Sequence, residues 1–194
     1  MGEGRAGMNG VKKLKVAGIA GSLRKGSFNR AALKAAIELQ PADMAIEIIE
    51  LGELPLYNDD IRVEGYPPAV NAYREKIRAA DGVLFATPEF NYSVSAPLKN
   101  AIDWGSRIPD PPFVGKPAAM ISASVAPVGG VRAQYHLRHM CVSLNCFVMN
   151  TPQVYIGDAA KKFDADLKLT DDGVRGELTK FLAAFRDYIL RLQR

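Results

Sequence analysis

The chain has 194 residues, 48% hydrophobic and 24% charged, enough apolar side chain for one sizeable globular core. Twenty-five Lys and Arg against 21 Asp and Glu leave a net charge of +4, which favours anionic ligands but is too small and dispersed for nucleic acid. No apolar segment reaches the roughly 20 residues of a membrane span, and the two cysteines, Cys141 and Cys146, read as reduced core thiols of a cytoplasmic protein.

In chain order, residues 1–10 carry four glycines and are expected to be a flexible tail, with residues 11–194 as one domain. Leu14 to Ala20 is a short apolar run that predicts a buried first strand. An alanine-rich helix is expected from about Asn29 to Leu39, stopping near Pro41. Ala45 to Leu51 mixes Ile46, Ile48 and Leu51 with Glu47 and Glu50, the pattern of an edge strand. A loop with Pro55, Tyr57, Asn58 and Asp59 follows, and Pro68 opens a helix ending near Ala80.

The third strand, Gly82 to Thr87, is apolar throughout and reads as central. Ser95 caps a helix with Pro97 in its first turn, reaching about Arg107. A proline-rich loop leads to a fourth strand, Ala118 to Ala123. Gly129 and Gly130 precede a helix to about Leu144, and a fifth strand is predicted over Phe147 to Val154. The last helix, Val174 to Leu192, places Leu178, Phe181, Leu182, Phe185, Ile189 and Leu192 at helical spacing. Five strands alternating with five helices imply an α/β fold, a parallel sheet with helices on both faces. A ligand then belongs beyond the strand C-termini, which singles out loops 21–29, 88–96 and 124–130.

The first of these loops reads GSLRKGSFNR. A strand, a loop of small, hydroxyl and basic residues, and then a helix start form a phosphate site, because free N–H groups and the helix dipole favour an anion. Ser22, Ser27 and Asn29 can donate hydrogen bonds and Arg24 a charge-assisted one. Neither a Walker A loop nor a G-x-G-x-x-G dinucleotide fingerprint can be drawn, which points to a terminal monophosphate. An ordinary strand–helix loop with a capped helix would read the same way.

The second loop, TPEFNYSVSAPLKNAIDW, carries Pro88, Phe90, Asn91 and Tyr92 straight after a buried strand. These residues suit the edge of a flat ring system, or equally a loop anchor or subunit contact. In the third loop Gly129 and Gly130 allow backbone to approach a ligand or simply make a turn. Arg132 can meet a phosphate or an acidic partner residue, or be solvated or paired at the surface like most lone arginines. The spacing of His136, His139, Cys141 and Cys146 matches no zinc motif, so no metal is expected.

These three motifs, in this order, resemble the NAD(P)H-dependent FMN reductase family, and within it the bacterial quinone and chromate reductases. The resemblance runs from about Leu14 to Arg191. It implies a flavodoxin-like three-layer sandwich with a five-stranded sheet of order 2-1-3-4-5. It implies non-covalent FMN, NADPH or NADH as electron donor, and quinone, flavin or oxyanion acceptors such as chromate. It also implies a homodimer or homotetramer.

Carried over by position, Ser22, Leu23, Arg24, Ser27, Phe28 and Asn29 are expected at the FMN phosphate. Pro88, Glu89, Phe90, Asn91 and Tyr92 are expected to border the isoalloxazine, and Ser124 and Gly130 to approach it from the third loop. The chemistry is then carried by the flavin, with no dedicated catalytic side chain. Two departures are Phe90, where many relatives carry tyrosine, and Ser95-Ala96 before Pro97. Arg107 and Arg132 are candidates for attracting anionic acceptors, and Tyr92, Arg132 and Tyr135 for a subunit interface near the site. A flavodoxin-type electron carrier is the alternative that shares fold and cofactor.

Overall fold

The central strands read as continuous apolar runs because both of their faces are covered. The protein is described by a computed structural model over residues 13–193; the expected tail at residues 1–10 lies outside the described residues. In β1 (Leu14–Ala20), Val16 and Ala20 enter one core while Ala17 and Ile19 enter another. The same alternation holds in β3 (Gly82–Ala86), with Leu84 and Ala86 set against Val83 and Phe85. It recurs in β4 (Pro117–Ala123), with Ile121 and Ala123 set against Ala118 and Met120.

β2 (Met44–Ile49) flanks β1 at the edge. The parallel order is β2-β1-β3-β4-β5, with β5 (Phe147–Val148) and β6 (Val154–Ile156) sharing the outer side of β4. This is the expected flavodoxin-like order.

One core lies under α1 (Phe28–Leu39) and α7 (Asp172–Leu192), where Leu33, Phe181, Phe185 and Ile189 are fully buried. The other lies under α3 (Pro68–Arg78), α4 (Ala96–Gly105) and α5 (Val131–Ser143), filled by Tyr73, Ile77, Leu98 and Leu137. Truncating a fully buried phenylalanine such as Phe85 to alanine is worth about 3–5 kcal/mol in a core of this kind.

Three expectations are corrected by the structure. The fifth strand is not continuous from Phe147 to Val154: it splits into β5 and β6, with three more residues than β4 carries over the same stretch. Pro152 lies in that excursion and has no N–H to give the ladder. Two short helices go beyond the five expected, α2 (Asp59–Glu64) and α6 (Ala159–Lys162). α2 is capped by Asn58, whose side chain accepts from the Asp60 N–H, and it buries no residue, so no apolar period announces it. The last helix starts at Asp172, two residues early, because the Asp171 side chain caps it by accepting from the Val174 N–H. No described helix is long and apolar enough to cross a membrane.

Candidate functional site

The C-terminal ends of β1, β3 and β4 deliver three loops to one place. At the first, Gly21 follows β1, and its N–H bonds to the Ala86 carbonyl at 2.8 Å. A Cβ at Gly21 would sit 3.0 Å from Pro88 Cδ and 3.0 Å from Ser95 Oγ, so a side chain there would require the second loop to give way by a few tenths of an ångström. The buried Ser95 hydroxyl donates to the Gly21 carbonyl and also caps α4, accepting from the Leu98 N–H. Sequence reading marked Ser95 as a cap alone; its second bond spans 74 residues.

α1 begins as a phosphate site requires. Ser27 is its N-cap and accepts from the Arg30 N–H at 3.2 Å. Helix geometry leaves the N–H groups of Phe28 and Asn29 without intrahelical acceptors. Ser22 and Ser27 are buried, while Leu23 and Arg24 are exposed. Asn29 is placed differently from a simple ligand. Its Nδ2 donates to the Ala123 carbonyl and its Oδ1 accepts from the Ala123 N–H, both at 2.9 Å and both buried. The side chain therefore clamps α1 to the end of β4.

The second loop folds back at residues 90–93, with Phe90 and Ser93 exchanging main-chain bonds of 3.0 and 2.9 Å. Asn91 and Tyr92 between them have φ of 50° and 62°, the geometry of a type I′ turn. Asparagine suits this region, whereas tyrosine enters it rarely and under strain. The turn holds Phe90 and Tyr92 in solvent, 51% and 64% exposed.

The third loop is tied to the second by Glu89. Its carboxylate accepts from the main-chain N–H of Arg132 at 3.0 Å and of Ala133 at 3.3 Å, and from Arg132 Nη1 at 2.9 Å. α5 starts at Gly130, which has no side chain to cap it, so Glu89 supplies the cap from another loop. The Arg132 guanidinium also stacks on the Tyr92 ring, 4.3 Å from its centroid. Beneath this contact the buried Gln134 amide donates to Ser122 Oγ and to the Val154 carbonyl, both at 2.8 Å.

Between the loops lies a cleft of about 240 Å³. Nine of the thirteen expected site residues line it: Ser22, Arg24, Ser27, Phe28, Asn29, Pro88, Glu89, Phe90 and Ser124. Gly26, Ala123 and Val125 line it as well and were not singled out; the position of Val125 next to Ser124 was the available signal. Leu23, Asn91, Tyr92 and Gly130 are outside the lining. Gly130 is buried with φ of 86°, and a Cβ there would meet Ser122 Cβ at 2.9 Å, so its close approach is to β4.

Arg107 also lies elsewhere, stacked on Tyr57 beside Asp59 and Arg62 in a separate hollow of about 480 Å³. In that cluster bonds from Arg62 and Tyr57 hold the Asp59 carboxyl well below its ordinary value, at about 2. A larger hollow of about 500 Å³ lies between the outer strands and α7, away from the loops that follow β1, β3 and β4. Among the described residues, no three His, Cys, Asp or Glu converge as a metal site. Cys141 and Cys146 are free thiols, and the neighbouring Cys146 together with burial pushes the Cys141 thiol up.

A family model described as NADPH-dependent FMN reductase matches residues 14–161. An NAD(P)H-dependent FMN reductase of Pseudomonas aeruginosa is 51% identical over 180 residues, 93% of this chain and 97% of its own length. A quinone reductase of Escherichia coli K12 is 43% identical over 185 residues, covering 94% and 98% of the two chains. Among solved structures, the flavoenzyme NAD(P)H:(acceptor) oxidoreductase FerB of Paracoccus denitrificans superposes with a TM-score of 0.85 at 35% identity, over 92% and 98% of the two chains.

Proposed function

The chain belongs to the NADPH-dependent FMN reductase family, and on that premise we propose that it is an NAD(P)H-dependent FMN oxidoreductase delivering electrons to quinones. Chromate and other oxidants are secondary, promiscuous acceptors in this reading. The observation that carries it is the cleft itself. It joins a helix N-terminus with hydroxyl and guanidinium donors to an apolar, aromatic rim, at the strand ends where this fold binds ligands.

The residues fit the cofactor. The first turn of α1 together with Ser22, Arg24 and Ser27 would hold a terminal phosphate, which meets unused N–H groups there. Pro88, Glu89, Phe90 and Ser124 would border the ring. Asn29 would act one step back, fixing the phosphate loop to β4. Leu23, Asn91, Tyr92 and Gly130 would shape the loops from outside the cleft lining. FMN would supply the electron-transfer chemistry when bound, and the protein would bind and orient it.

A homodimer or homotetramer is part of the proposal, supported by aromatic side chains left in solvent near Arg132, Tyr92 at 64% and Tyr135 at 56%. A cytoplasmic setting is supported by the two free thiols.

The test is an anaerobic titration of the FMN-loaded protein with NADPH and then NADH, following flavin absorbance. Rapid full bleaching, reversed by adding a quinone, is expected. Slow bleaching, or a stable one-electron form under chemical reduction, would instead identify an electron carrier.

A further inference from the structure

The ring end of the cleft is electrostatically self-cancelling. An uncapped α5 would offer its first-turn N–H groups and the positive end of its dipole to an anion. Arg132, in that same turn, would add a full positive charge. Glu89 meets all of this with one carboxylate, taking the Arg132 and Ala133 N–H groups and the Arg132 guanidinium, with its side chain only 11% exposed. Arg132 is further held over the Tyr92 ring, 4.3 Å from its centroid, and is not among the residues that line the cleft. What remains at the mouth is apolar: Phe90 and Val125, both well exposed, line the cleft from opposite loops. Arg24, on the α1 loop, is the one Lys or Arg in the lining among the described residues.

We infer that Glu89 is a specificity-determining residue, keeping the acceptor end free of net positive charge so that uncharged planar acceptors are favoured over anionic ones. The inference rests on the FMN-dependent reading above and adds to it a physical basis for acceptor choice. It also separates the two arginines that sequence reading offered as attractors of anions: Arg107 is in another hollow, and Arg132 is neutralised in place.

The experiment compares menadione, a neutral quinone, with ferricyanide, a trianion. The quantity read is the ratio of kcat/KM for ferricyanide to that for menadione, which does not depend on flavin loading. In Glu89→Gln the ratio is expected to rise about tenfold at low ionic strength and to return towards the wild-type value at about 0.3 M salt. Arg132→Gln leaves the carboxylate uncompensated, so the ratio is expected to fall several-fold. A purely structural role would lower both kcat/KM values together and leave the ratio within about twofold, and that result, or a shift of the same sign in both variants, overturns the inference.

A second arm needs no turnover. Sulfate should raise the melting temperature of Glu89→Gln more than that of the wild type, in flavin-free and FMN-loaded protein alike; equal rises would overturn the inference. If the wild type took up no FMN, the functional reading would fall, while this sulfate arm would still decide the role of Glu89.

Discussion

The two ends of the cleft are held by opposite means. At the end proposed for the phosphate, Asn29 binds Ala123 through two buried neutral hydrogen bonds, and Ser27 caps α1. At the ring end, Glu89 binds α5 through a charged contact whose arginine partner is 45% exposed. Buried neutral bonds are insensitive to salt and costly to break, since each orphaned group keeps its desolvation penalty. Half-exposed ion pairs are screened by salt and contribute little to stability. One end is thus built as scaffold, and the other as an adjustable electrostatic lip.

The largest test of this contrast is Asn29→Ala. It strands the Ala123 N–H and carbonyl, and is expected to cost about 3 kcal/mol of stability in urea denaturation. FMN affinity, read by fluorescence quenching, should fall at least about tenfold because α1 loses its tie to β4. Ser27→Ala should cost about 1 kcal/mol through the lost cap, with little dependence on salt. Arg132→Ala should cost less than about 1 kcal/mol, and even that should vanish near 1 M sodium chloride. A large, salt-independent loss in Arg132→Ala would erase the distinction between the two ends. Phe90→Tyr, at a half-exposed rim position, is expected to change stability by no more than about 0.5 kcal/mol and to leave FMN affinity nearly unaltered.

The same contrast accounts for what could be read without coordinates. Features written in local chemistry were legible: the buried runs of β1 and β3, the Ser95–Pro97 helix start, and the hydroxyl-rich loop before α1. The expected start of α1 at Asn29 is one residue late because Ser27, not Phe28, is the cap. α2 escaped because it buries nothing and has no apolar period, although Asn58 followed by Asp59 and Asp60 is a start signal. The break between β5 and β6 escaped although it is marked: after Met149 the excursion reads Asn150, Thr151, Pro152 and Gln153, a polar, proline-containing stretch inside the single strand expected there.

Within the site, residue types pointed to the right loops, and most expected residues line the cleft. Their partners were hidden. Asn29 reads as a donor to phosphate, yet its amide is complementary to a main-chain pair 94 positions away. Glu89 reads as a ring neighbour, yet its carboxylate serves a helix 43 positions on. Such pairings are properties of the assembled sheet, and no local period encodes them.

The clamp between Asn29 and Ala123 also bears on how the molecule is made. The phosphate loop lies early in the chain, but the group that fixes it arrives only with the last residue of β4. Closing a loop of that length is a slow, late event among non-local contacts. A nascent chain that has not yet added β4 therefore carries the loop proposed to bind phosphate without the means to hold it in shape. Cofactor capture should then follow folding rather than guide it, and FMN should act as a reward for the nearly finished sheet.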